Sequence, residues 1–180
     1  MIRSPENLLP AMAEHILQWA EIQSSPIIPE IIAAVRCHDE REFLRWCQSS
    51  KTCSDLRSID KRCASLLYHS LKLTMYSADH LTSLQTAALS GVYPYWRLWV
   101  NTRFCAGHKS LNNFVARFDS RIWEFIYPPN GWVCGCAVTV IDENDPLVAG
   151  SRNLAVTDEL KHRCTNWLDR KPIRQWLLTR

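Results

Sequence analysis

A rigid turn that ends in two cysteines constrains this chain more than any other feature of its sequence. The stretch YPPNGWVCGC runs from Tyr127 to Cys136. Its two prolines restrict the backbone, and its Asn-Gly pair favours a tight turn. Positions two apart on a strand point to one face, so the thiols of Cys134 and Cys136 should reach a single partner. The candidate partners are the other thiol of the pair, two further cysteines or a metal ion. The residues of the predicted turn are Pro128, Pro129, Asn130 and Gly131.

Composition favours a soluble globular protein with an apolar core. The chain has 180 residues, of which 47% are hydrophobic and 22% charged, an ordinary mixture for such proteins. The net charge of +3 argues against strong nucleic-acid binding, since phosphate contacts need many cations. A weak nucleic-acid contact stays open. No apolar run approaches the roughly 20 residues of a membrane span, and the N-terminus lacks the apolar core of a signal peptide. We therefore expect a cytoplasmic protein without membrane contact.

Helical periodicity fills the first 90 residues. The predicted helices begin near Ser4, between Pro26 and Pro29, at Asp39, at Ser54 and at Asp79. The last of these should end near Gly91 and Pro94. The segments YWRLWV and CAVTVI are predicted to be short strands, and Thr157 should cap a C-terminal helix.

These segments predict an α-rich α+β fold. It consists of a helical N-terminal bundle (residues 1–92), a small zinc-knuckle-like α+β module (93–142) and a C-terminal helical extension (143–180). Trp96, Trp123 and Trp132 should form the core of the module.

Eight cysteines are many for a chain whose thiols stay reduced. Five of them have no close spacing to another candidate ligand and should simply pack as small apolar side chains: Cys37, Cys47, Cys53, Cys63 and Cys164.

The remaining three cysteines combine with one histidine into a candidate zinc site. Cys105 and His108 stand three positions apart with Gly107 between them, and Cys134 and Cys136 follow the turn. One Cys/His pair and one Cys/Cys pair make up the closed set of four ligands that structural zinc prefers. Four protein ligands leave no position for water or substrate, so the metal should hold the fold and not take part in catalysis.

The segment Tyr95–Ile141 resembles the phage Mu F-like family of head morphogenesis proteins. The most specific similarity is YPPNGWVCGC, preceded by Trp123. Where the family has an aspartate, a leucine-aspartate-glycine turn and an arginine between the cysteines, this chain has Asn101, Leu111-Asn112-Asn113 and Gly135. An asparagine can still adopt the left-handed conformation of the family's glycine. All four candidate ligands are thus present in the segment that resembles the family.

The resemblance implies a structural role in phage assembly. We expect a minor head-like protein of a phage, prophage or satellite that contacts portal or capsid proteins, in the bacterial cytoplasm and in procapsids or virions. One alternative is a small regulatory protein that interferes with phage assembly. A Cys/His-dependent enzyme, with His108 activating Cys134 or Cys136, is another alternative. The chain carries no G-x-S-x-G, P-loop or HExxH motif, so we expect no enzyme.

Overall fold

The computed structural model describes residues 9–10, 13–14, 16–18, 20, 22, 27–51, 53–101 and 106–150. The described residues between 9 and 18 are helical. The elements that follow are α1 (Ile28–Cys37), α2 (Glu40–Ser49), α3 (Ser54–Arg57), α4 (Lys61–Leu89), β1 (Tyr95–Trp99), a 3₁₀ helix (Ala106–Leu111), β2 (Phe114–Arg117), α5 (Trp123–Ile126), β3 (Ala137–Ile141) and α6 (Pro146–Ala149). Helices dominate and the strands form one small sheet, which confirms the predicted α-rich α+β class. The predicted C-terminal helix lies outside the described residues.

Local signals account well for α1 and α2. Proline occupies the first turn of α1, where its missing N–H is harmless. Asp39 caps α2 by accepting a hydrogen bond from Glu42 N at 2.8 Å, and the Glu42 carboxylate accepts one from Asp39 N at 3.3 Å. This reciprocal capping box matches the predicted helix start.

The long helix α4 differs from the two helices predicted for this region. Ser54 begins only the single turn of α3, and α4 starts after Asp60, whose carboxylate accepts from Arg62 N and Cys63 N at 2.8 and 2.9 Å. The helix then continues through Asp79 for 29 residues. Asp79 is exposed, and buried residues recur on both sides of it, so nothing interrupts the buried face there. The predicted stop is present, since Gly91 follows the helix with a φ of 80°.

The sheet has the strand order β2-β1-β3 and is antiparallel throughout. Trp96 pairs with Ala116 on one side and with Val140 on the other. The strands β1 and β3 lie where YWRLWV and CAVTVI predict them. No strand is predicted for the segment that contains β2, because four residues are too few to show a pattern.

Two main hydrophobic cores pack along α4. The first lies between α4 and the preceding helices, and it includes Phe43, Leu67 and Leu71. The second lies between the C-terminal half of α4 and the sheet, and it includes Leu81 and Leu84. A single rigid helix therefore contributes side chains to both cores.

The three tryptophans expected in the module core are divided between these two hydrophobic cores. Trp96 and Trp123 lie in the second core, with their ring centroids 5.5 Å apart. Trp132 instead packs against the first core and against the small cluster of Cys63 and Leu66. The turn that precedes the two cysteines thus reaches back to the helical part of the chain.

The cysteines expected to be packing residues are mostly buried. Cys47, Cys53 and Cys63 are buried, and burial raises the pKa of the Cys47 thiol to about 12. Cys37 is exposed at the end of α1 and does not fit that expectation. Cys164 lies outside the described residues.

Candidate metal centre

Two separate segments bring three of the four predicted ligands together. His108 lies on the 3₁₀ helix between β1 and β2, and Cys134 and Cys136 lie just before β3. The three side chains offer ligand atoms that all lie within 4.8 Å of one another. Within the described ranges, no other group of three or more His, Cys, Asp or Glu side chains converges in this way. Cys105, the fourth predicted ligand, lies outside the described residues.

The geometry and burial of this group suit zinc. The Cys136 Sγ and His108 Nδ1 atoms are 3.7 Å apart. Zinc bonds of about 2.3 Å to sulfur and about 2.0 Å to nitrogen put two tetrahedral ligands roughly 3.6 Å apart. His108, Cys134 and Cys136 are all buried, with exposed fractions of 7%, 3% and 6%. Three buried ligand atoms at this spacing could hold a metal ion.

The same atoms also fit a simpler contact. A distance of 3.7 Å between sulfur and a ring nitrogen is within range of a weak S–H···N hydrogen bond. A thiol–imidazole pair and a metal site therefore predict the same positions for His108 and Cys136. They differ in the ion and in the protonation of the thiols, which a metal assay distinguishes.

The turn before the cysteines is held by buried hydrogen bonds. The side chain of Asn130 is 4% exposed, and its Nδ2 donates to Ile126 O at 2.7 Å. Cys134 N donates to Gly131 O at 3.1 Å. Gly131 has a φ of 154°, which other residues rarely adopt. The hydrogen bond from Cys134 N closes a turn over residues 131–134, and the turn-forming role of Asn130 and Gly131 stays a prediction.

The two cysteines are not part of a strand, as their spacing suggested. Residues 134–136 have no regular structure, and β3 begins at Ala137. Val133 adopts a left-handed φ of 53°, which costs a β-branched residue conformational energy. This conformation lets Val133 N donate to Ser70 Oγ on α4 at 3.1 Å. A bent segment anchored to α4 therefore brings the two sulfur atoms together.

Two further contacts attach the module to α4. Tyr127 donates its hydroxyl hydrogen to Ser77 O at 2.8 Å, and burial raises the pKa of this phenol. His80 Nε2 lies 3.1 Å from Val138 O in β3. Ser70, Ser77 and His80 are not predicted from the sequence, because a polar side chain on a helix gives no sign of the distant group that it contacts.

An asparagine turn supports the other side of the site. Asn113 has a φ of 62°, the left-handed conformation predicted for it from the family's glycine. Its Oδ1 accepts two hydrogen bonds from Arg97 at 3.0 and 2.6 Å. The neighbouring Asn112 Oδ1 accepts from Val100 N at 2.9 Å. This turn connects the 3₁₀ helix that carries His108 to β2.

Two of the departures from the family pattern lie next to each other. A side chain added at Gly135 would place its first carbon 3.1 Å from Asn101 Nδ2. The positions where the resemblance has an aspartate and an arginine are therefore neighbours in this structure. At these two positions the chain carries the uncharged pair Asn101 and Gly135.

The family model for Phage Mu protein F like protein matches residues 45–139. This range covers more than half of the chain and includes α4, β1, β2, the start of β3 and the candidate metal centre. The chain belongs to the Mu F-like family. The family assignment confirms the resemblance read from YPPNGWVCGC.

Two curated relatives agree with this assignment. A protein of Escherichia phage Mu, provisionally named capsid assembly protein F, is 32% identical over 77 residues. The Mu-like prophage FluMu F protein of Haemophilus influenzae is 44% identical over 52 residues. These alignments cover 42% and 28% of this chain, but only 17% and 13% of the relatives. No solved structure matches the chain.

The Mu F-like region therefore corresponds to a small part of larger proteins. The name of the phage Mu relative points to capsid assembly, a structural task. Among the described residues, no helix is long and apolar enough to cross a membrane.

Proposed function

We propose that this chain acts in phage head assembly, as a Mu F-like module whose sheet is held in place by a structural zinc ion. Cys105, His108, Cys134 and Cys136 would be the four ligands. The observation that carries the zinc proposal is the buried convergence of His108, Cys134 and Cys136. The assembly role is supported by the family match and by the name of the phage Mu relative.

A metal at this position would act on the fold. It would join the 3₁₀ helix to the segment before β3, two parts of the chain with little regular structure of their own. Structural zinc contributes directly to folding, because the unfolded chain has no preformed site. Four protein ligands would also leave no open position for a substrate, so the proposed role is structural and not enzymatic.

The proposed partners are phage portal or capsid proteins, met in the bacterial cytoplasm and retained in procapsids or virions. In this proposal, residues 93–142 form the module and residues 1–92 and 143–180 provide helical surfaces around it. The small net charge gives no reason to add nucleic acid to the partners.

Metal analysis tests the zinc proposal. We expect about one zinc per chain by inductively coupled plasma mass spectrometry of the full-length protein. Cys136→Ser and His108→Ala should lower the zinc content strongly and reduce the melting temperature, and a chelator should do the same to the natural chain. Cys37→Ser is the matched control, because Cys37 is exposed and distant in sequence from the site. A metal-free protein that melts at the same temperature with and without added zinc would contradict the proposal.

Co-sedimentation tests the assembly role separately. The natural chain should sediment with procapsids assembled from the portal and capsid proteins of a phage that encodes it. Absence from procapsids, portal complexes and virions alike would contradict the assembly role and leave the zinc result unaffected.

A further inference from the structure

A groove with cationic edges lies between the helical part of the chain and the turn before the cysteines. It consists of two adjoining depressions of about 530 and 600 Å³, which share Glu40, Lys61 and Ser65. The residues that give it its character are Arg41, Leu44, Lys61, Arg62, Leu66 and Val133. We refer to this surface as the cationic groove.

The acidic side chains at the cationic groove already have partners within the chain. Asp39 accepts the capping hydrogen bond from Glu42 N. Glu40 Oε2 lies 3.2 Å from His69 Nε2. A hydrogen bond from Ser65, followed by the charges of His69 and Lys61, lowers the pKa of the Glu40 carboxyl below its usual value. Glu40 therefore stays ionised and engaged with its own neighbours.

The cations of the cationic groove are less well balanced. Within the described residues, no close ion pair joins Arg41, Lys61 or Arg62 to a carboxylate, although the charge of Lys61 acts on Glu40. Lys61 and Arg62 are the first two residues of α4, directly after the capping carboxylate of Asp60, and the first turn itself contains no acid. Cations are disfavoured at this positive end of a helix, so their presence concentrates positive potential at the groove.

The walls of the cationic groove supply apolar surface. Leu66 is buried and Leu44 and Val133 are half-buried. The left-handed backbone of Val133, together with its hydrogen bond to Ser70, places this residue at the wall that faces the start of α4. Apolar walls with cationic edges match a peptide that alternates apolar and acidic side chains.

We propose that the cationic groove binds an acidic peptide segment of a partner protein, with its carboxylates on Arg41, Lys61 and Arg62 and an apolar side chain against Leu66 and Val133. Nucleic acid fits less well, because Asp39 and Glu40 would repel a continuous phosphate backbone. Among the residues that line the groove, the only aromatic ring is the imidazole of His69, which is engaged with Glu40. The tail of the chain is also a poor occupant, since residues 151–180 contain seven Lys and Arg against three Asp and Glu.

This inference deepens the proposed assembly role, on which it rests for the source of the peptide, but its test needs no phage component. The probe is a fluorescein-labelled twelve-residue peptide with leucines spaced among glutamates. Its controls are the same peptide with glutamine in place of glutamate, and a single-stranded oligonucleotide of equal length. Binding to the full-length protein is followed by fluorescence anisotropy.

We expect the acidic peptide to bind and the glutamine peptide to bind at least tenfold more weakly. The double variant K61E/R62E should weaken acidic-peptide binding at least tenfold. Acids suit the N-terminus of a helix, so α4 should stay folded, which circular dichroism checks. The matched control K51E/R57E changes two exposed cations outside the groove and should keep the affinity within about twofold.

Three results would overturn the proposal. The first is no binding of the acidic peptide at millimolar concentration. The second is equal binding by K61E/R62E and K51E/R57E. The third is tighter binding of the oligonucleotide that K61E/R62E abolishes, which would assign the groove to nucleic acid. A negative result here, together with co-sedimentation with procapsids, would reject the groove alone.

Discussion

At the scale of single residues, two adjacent asparagines shape the turn that follows the 3₁₀ helix. Asn112 accepts a hydrogen bond from the backbone of Val100, and Asn113 takes the left-handed conformation and accepts from Arg97. Asparagine tolerates this conformation better than most other residues. The pair can therefore replace a turn that elsewhere in the family contains glycine.

The left-handed conformation of Asn113 gives a residue-scale prediction. Asn113→Val should destabilise the protein by about 1–2 kcal/mol, because a β-branched side chain is strained at this φ. Asn113→Gly is the matched control. It loses the same exposed hydrogen bond to Arg97 but keeps the conformation, so it should cost less than Asn113→Val. Urea denaturation followed by circular dichroism measures both. Equal stability of the two variants would show that φ does not limit this position.

At the scale of elements, the start of α4 determines how the helical region is divided. Asp60 receives two backbone N–H groups at the first turn of α4. Ser54, which resembles a helix cap in the sequence, is the first residue of the one-turn α3 and bonds weakly to Asp55 at 3.5 Å.

Substitutions at Asp60 and at Ser54 should differ in their effect on stability. Asp60→Ala should cost about 1 kcal/mol, the usual loss when a helix cap is removed. Ser54→Ala should change the free energy of unfolding by no more than about 0.5 kcal/mol, like other surface substitutions. Chemical denaturation checks both values. A larger effect at Ser54 than at Asp60 would mean that the long helix begins at α3.

At the scale of the whole molecule, α4 joins the two cores. Its N-terminal half supplies Leu67 and Leu71 to the first core, and its C-terminal half supplies Leu81 and Leu84 to the second. Asp79 lies between these two sets, exposed and in the interior of the helix. The continuity of the helix at this point should make the two cores unfold together.

A break at Asp79 should uncouple the two cores. Asp79→Pro removes a helical hydrogen bond and should cost about 3 kcal/mol or more. Tryptophan fluorescence and far-ultraviolet circular dichroism should give coincident unfolding transitions for the natural chain and separate ones for this variant. Asp79→Ala is the control and should remain close to the natural stability with one transition. A single transition in Asp79→Pro would show that the cores are coupled by other contacts.

Features that depend on neighbouring residues could be predicted from the sequence. The amphipathic α2 with its capping box and the stop at Gly91 both result from interactions within a few positions of the chain. The family could be identified for a similar reason, because YPPNGWVCGC is a continuous segment. The convergence of Cys134 and Cys136 with His108 was also predicted. The strand expected to carry the two cysteines is absent, since residues 134–136 have no regular structure.

Features that depend on residues far apart in the chain emerge only in the folded protein. The hydrogen bond from Val133 to Ser70 joins positions 63 residues apart, and that from Tyr127 to Ser77 joins positions 50 apart. The pairing of the short β2, the packing of Trp132 on the helical core and the shape of the cationic groove also require segments far apart in the chain. Local propensity contains no information about such partners, because their energy arises only when the folded chain brings them into contact.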